Sequence, residues 1–136
     1  MTRKPATLQI LWIDDAGPAP FRYEIMLLQR MGAEVDFAVT VTTAKRKLAT
    51  NEYDLIISDI LMGRDSSGQA IYATALIREL REGLLGKRIK DVPVVICSAF
   101  YDDEIYSSLA ELEHIQRMPM PIDFDYLQKV VMAEKA

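Results

Sequence analysis

The feature that most constrains this chain is a series of short apolar runs that stop at an acid or a hydroxyl. Leu8–Ile13 ends at Asp14-Asp15, Leu55–Ser58 at Asp59, and Val94–Cys97 at Ser98. Such runs fit strands buried on both faces of a parallel sheet. They are too short for a signal-peptide core or a membrane span. Helical patterns fill the intervals. Pro20 opens a stretch with Phe21, Ile25, Leu28 and Met31 on one face, closed by Gly32. Thr43 is the expected cap of a short basic helix over 44–50. A turn over 63–68 leads to a long helix through Arg81, with Ile71, Ala75, Ile77 and Leu80 inward, broken by Gly83 and Gly86.

The remaining segments continue the alternation. Val35, Phe37, Val39 and Val41 predict a strand of period two, and Ile115–Met118 a brief one. Residues 102–113 predict an acidic helix with Ile105, Leu109 and Leu112 inward, and Asp123 caps a last helix carrying Leu127, Val130 and Val131. Five strands alternating with five helices give an α/β chain with a flavodoxin-like, doubly wound five-stranded parallel sheet of order 2-1-3-4-5. Pro119, after the fifth strand, suits an edge position.

With 136 residues and no linker or repeat, one domain is expected, its core spanning about 7–132. Sixteen basic against twenty acidic residues leave a formal charge of −4, a poor balance for direct nucleic-acid binding. Cys97 is the only cysteine, which excludes an intrachain disulfide and a cysteine-based zinc site. A soluble, cytoplasmic protein without a membrane segment is expected.

Ligands of such sheets bind beyond the carboxyl ends of the strands where the order reverses, which selects Asp14, Asp15, Asp59 and Ser98. Aspartates after strands commonly act as turn or cap residues. Three on adjacent strands are a different matter, because two unit charges about 4 Å apart repel by about 4 kcal/mol at an effective dielectric near 20. Such a cluster raises its own pKa values or recruits a cation, and oxygen-only ligands suit Mg²⁺ or Mn²⁺. A cation held there binds a phosphoryl group, which a carboxylate attacks to give an acyl phosphate, with the Ser98 hydroxyl placed to hydrogen-bond a phosphoryl oxygen.

Four pieces of the chain resemble those of response-regulator receiver domains, the phosphoacceptor modules of two-component signal transduction, in the chemotaxis-type single-domain form. They are Ile10-Leu11-Trp12-Ile13-Asp14-Asp15, Tyr53-Asp54-Leu55-Ile56-Ile57-Ser58-Asp59-Ile60-Leu61-Met62, Val92-Pro93-Val94-Val95-Ile96-Cys97-Ser98-Ala99 and Met120-Pro121-Ile122-Asp123. The resemblance implies that Asp59 is the phosphoacceptor. It implies that Asp14, Asp15, Asp59 and the backbone carbonyl of Leu61 hold Mg²⁺ or Mn²⁺. It makes Ser98 the switch hydroxyl, Ala99 the small residue after it, and Met120–Pro121 a cis peptide. The implied phosphodonor is a histidine kinase or histidine phosphotransfer protein. No output domain is expected after the last helix, so the signal is expected to pass by docking to a downstream protein or along a phosphorelay. A homodimer through the fourth and fifth expected helices is compatible with the pattern.

The chain departs from that pattern in four places. Met120 stands where receivers carry a lysine, and no lysine occurs between Lys90 and Lys129. Arg117 replaces the usual switch aromatic, and it and Arg64 are the candidate substitutes for the missing charge. Met62-Gly63 stands where Met-Pro is common, although Gly68 matches the glycine that opens the third helix. The interval from Asp59 to Ser98 is long, with the extra residues expected in 81–91, where Lys87, Arg88 and Lys90 form a basic patch. The missing lysine and aromatic favour an alternative, a degenerate receiver acting as a phosphorylation-independent interaction module, against which the intact acid triad argues. A flavoprotein or phosphatase on a similar fold is disfavoured, since no phosphate-cradling loop follows the first strand and no Walker or Asp-x-Asp pattern occurs. Leu61 and Phe100 are expected to shield the phosphoryl group. Cys97 and Trp12 read as core, and His114 as a surface residue.

Overall fold

Strand side chains alternate between faces, so a strand buried on both sides supplies two cores at once. The computed structural model, which describes residues 7–97, 107–109, 111–118 and 122–135, shows this in β1 (Leu8–Ile13). Leu11 and Ile13 join one cluster, whereas Ile10 and Trp12 join the other. β1 pairs in parallel with β2 (Ala33–Ala38) and with β3 (Leu55–Ser58). β6 (Val94–Cys97) and the edge strand β7 (Ile115–Met118) complete the sheet, in the order β2-β1-β3-β6-β7. This is the expected 2-1-3-4-5 arrangement.

One face is covered by α2 (Val41–Thr50) through Ala44 and Leu48, and by α3 (Thr74–Arg81) through Leu76, Ile77 and Leu80, with Leu109 buried among them. The other is covered by α1 (Arg22–Arg30) through Leu28 and by α4 (Phe124–Lys135) through Leu127 and Val131. Each fully buried aliphatic chain contributes about 1.5–3 kcal/mol. Trp12 packs its ring 4.8 Å from that of Phe21 and 6.1 Å from that of Phe37. Asp123 caps α4 as expected, its Oδ1 accepting from the Asp125 N–H at 2.9 Å.

Four α-helices are found among the described residues. Half of the fourth expected helix, over 102–113, lies outside them, although Leu109 and Leu112 do pack inward. Other local expectations are corrected. β2 stops at Ala38, Val39 is exposed, and Val41 begins α2. The cap of α2 is Thr40, not Thr43: its Oγ1 accepts from the Thr43 N–H at 3.0 Å. The expected long third helix is only Thr74–Arg81, and Ala75, read as inward, is exposed.

Before α3 lies an antiparallel ribbon of β4 (Leu61–Arg64) and β5 (Ala70–Tyr72). Its turn is held by Asp65, whose Oδ1 accepts from Ser67 N, Ser67 Oγ and Gln69 N. Gly63 and Gly68 take the left-handed φ values of +81° and +84° that the ribbon requires. The segment after α3, which carries the expected basic patch, is tied into the fold. Ile89 is buried, and the exposed Arg88 donates to the carbonyls of Ala49 and Asn51. The Arg81 guanidinium is buried and donates to the carbonyls of Glu113, Lys90 and His114 at 2.8, 3.0 and 3.1 Å.

Candidate functional site

The ladder that pairs β1 with its neighbours also fixes the acids that follow. Asp14 N–H donates to the Ala38 carbonyl at 3.0 Å, and Asp59 N–H to the Ile13 carbonyl at 2.9 Å. Each aspartate is thus tied by its main chain to an adjacent strand, and both emerge at the same end of the sheet. Two carboxylates are also aimed locally. Asp14 Oδ1 accepts from Ala16 N–H at 2.9 Å, and Asp59 Oδ1 from Ile60 N–H at 2.7 Å. Carboxylate oxygens of Asp14, Asp15 and Asp59 all lie within 4.8 Å of one another.

Burial grades the three: Asp14 is buried, Asp59 half-buried and Asp15 exposed. Burial pushes the Asp14 carboxyl up to about 6, against the pull of the Ala16 N–H, and the charges of Asp59 and Asp15 add to the rise. Cys97, at the end of β6, stands in the same negative field. Burial pushes its thiol up to about 12, with Asp14, Asp59 and Glu24 contributing, so it is an inert core thiol as expected. Hard oxygen donors so close together, one of them holding its proton towards neutrality, are a donor set that a small divalent cation completes.

The expected site residues divide by position. Asp14, Asp15 and Asp59 converge. Leu61 lies in β4, half-buried and in register with Tyr72. Ser98, Ala99, Phe100, Met120 and the Met120–Pro121 peptide lie outside the described residues. Arg117 is half-buried on β7 in register with Ile96. Arg64 turns back into its own ribbon, its Nη1 donating to the Gly68 carbonyl at 2.9 Å.

Sequence reasoning noted Gly63 only as a departure from Met-Pro. The backbone explains the departure, because a φ of +81° is closed to proline, whose ring holds φ near −65°. A Cβ at this position would stand 3.1 Å from Asp15 Oδ2. No signal in the sequence announced that approach, which arises only once the ribbon has folded back beside the loop after β1.

No protein-family model matches the chain, and no curated protein does. Solved structures do. A signal receiver domain of a signal transduction histidine kinase from Syntrophus aciditrophicus superposes with a TM-score of 0.75 at 22% identity, over 95% of this chain and 90% of that one. The receiver domain of the sensor histidine kinase PA1611 from Pseudomonas aeruginosa PAO1, with a magnesium ion coordinated in its active site cleft, gives 0.74 at 18%, covering 96% and 98%. The chemotaxis protein CheY4 of Vibrio cholerae gives 0.72 at 19%, covering 94% and 98%. The chain has the receiver fold. No helix among its described residues is long and apolar enough to cross a membrane.

Proposed function

We propose that residues 7–132 form one receiver domain of two-component signal transduction, phosphorylated on Asp59 with Mg²⁺ or Mn²⁺ and signalling by protein–protein docking in the cytoplasm. The observation that carries this reading is the convergence of Asp14, Asp15 and Asp59 at the carboxyl ends of β1 and β3 on this fold. The magnesium ion in the similar PA1611 receiver supports the same assignment here. Asp14, Asp15, Asp59 and the Leu61 carbonyl would hold the cation. Once bound, it neutralises charge on the carboxylates and on the incoming phosphoryl oxygens.

The chain's own groups set up the transfer. Ile60 N–H holds Asp59 Oδ1, which leaves Oδ2 as the oxygen that attacks phosphorus. The new O–P bond forms as the P–N bond of a phosphohistidine breaks. The electron pair returns to the imidazole nitrogen, which takes a proton from water. The donor is accordingly a histidine kinase or a histidine phosphotransfer protein. Ser98, directly after a Cys97 that feels both Asp14 and Asp59, is assigned the switch hydroxyl, with Ala99 beside it. The phosphoryl group puts about two negative charges where the Asp59 carboxylate held one, which reorganises the neighbouring loops for a downstream partner.

Acetyl phosphate or phosphoramidate with Mg²⁺ is expected to add one phosphoryl group by intact mass. Asp59→Asn and chelation of the metal should each abolish it. No adduct on the wild-type chain refutes the reading. Met120 in the lysine's place and Arg117 in the aromatic's favour a second reading, a phosphorylation-independent interaction module. Equal partner affinity of the wild type and Asp59→Ala would select it.

A further inference from the structure

We propose that Gly63 is a positioning residue that fixes where the Asp15 carboxylate stands, and thereby how tightly the acidic pocket holds a divalent cation. The inference rests on the metal-dependent reading of that pocket. Asp14 and Asp59 each have an oxygen tied by a backbone N–H, from Ala16 and Ile60. On the Asp15 side the boundary is the ribbon. An ideal Cβ on Gly63 would stand 3.1 Å from Asp15 Oδ2 and 4.0 Å from its Cγ, and apart from chain neighbours no other heavy atom lies within 4 Å of it. The space where a side chain would begin is therefore used by one carboxylate oxygen and by nothing else.

A methyl group at 63 displaces that carboxylate by a few tenths of an ångström, because 3.1 Å is too short for a comfortable carbon–oxygen contact. Asp15 is the exposed member of the cluster, so it moves before the buried Asp14 does. Ligand position matters to a small cation, since Mg²⁺ demands near-ideal geometry at about 2.1 Å. Losing an outer support of a ligand weakens metal binding about 10–100-fold.

The fold supplies a matched control. Gly68, in the same ribbon, has a φ of +84° but open space where its Cβ would be. Gly68→Ala therefore imposes the same backbone cost without touching Asp15. Calorimetric titration of the full chain with MgCl₂ is expected to show Gly63→Ala weakened about tenfold and Gly68→Ala unchanged. In an Asp15→Ala background, Gly63→Ala should produce no further loss. If Gly63→Ala does not fold, Gly63→Asn serves, because asparagine tolerates left-handed backbone and carries the same Cβ. Equal weakening by Gly63→Ala and Gly68→Ala overturns the inference, as does an unaltered Gly63 variant or an effect that survives without Asp15. A wild-type chain that binds no Mg²⁺ overturns the metal-dependent reading itself, an outcome distinct from a wild type that binds alongside an unaltered Gly63→Ala.

Discussion

Asp14→Asn should make the metal-free protein more stable. The carboxyl ordinarily titrates at 3.8 and is pushed up to about 6, by burial first and then by the charges of Asp59 and Asp15. The folded state thus binds more protons than the unfolded state between those two values. Stability must fall as pH rises from about 4 to about 6, and then level off. A shift of about two units corresponds to about 3 kcal/mol at pH 7.5, shrinking to about 1 kcal/mol at pH 4.5, where the native carboxyl is already protonated. Asparagine removes the charge yet retains an acceptor for the Ala16 N–H, so most of that penalty should return as stability. Thermal melts in chelator at pH 7.5 should rise by about 8 °C in the variant. The difference should contract by more than half at pH 4.5. Millimolar Mg²⁺ should reverse the order, because the wild type gains binding free energy that the variant has lost. A variant no more stable than wild type at pH 7.5, or an advantage independent of pH, would refute the electrostatic argument.

Two further outcomes test the frame around the site. Arg81→Met strands three backbone carbonyls and should cost about 3 kcal/mol in urea unfolding; Arg81→Lys should recover only a minority, since an ammonium cannot span acceptors on three residues. Tyr53→Phe removes the 2.6 Å bond from its hydroxyl to Asp36 Oδ2 and should cost about 1 kcal/mol at neutral pH. Burial raises the Asp36 carboxyl, but Lys47 and Tyr53 outweigh it and hold it below the usual range. Stability from this group is therefore full above the ordinary carboxylate pKa and drains away as pH falls through the lowered one. Acid titration of both proteins should show the gap between them closing.

Strands buried on both faces were the easiest elements to read, since β1, β3 and β6 need continuous apolar runs and turns bound them. The end of β2 misled because valines at 39 and 41 extend its alternation past Thr40, and a β-branched residue in a first helical turn looks like strand. The ribbon over 61–72 was hidden because its pairing joins Leu61 to Tyr72, beyond the reach of local periodicity, while Ile71 and Ala75, four apart, imitate one helical face. The acidic cluster was legible from strand ends alone. The pressure of Gly63 on Asp15 and the burial of Arg81 were not, because a glycine records only its backbone freedom and an arginine at a helix end usually points to water.

Arg81 also makes the front of the molecule dependent on its back. Residues 7–92 contain three of the five strands of the sheet and the whole ribbon, a seemingly separable unit. Yet two of the three acceptors that neutralise the demands of that guanidinium arrive only with 113 and 114, just ahead of the edge strand. A polypeptide emerging from the ribosome would carry α3 with an incompletely satisfied cation until the last third of the chain has been made. A chain cut before residue 113 would keep only the Lys90 carbonyl of the three that receive the Arg81 guanidinium.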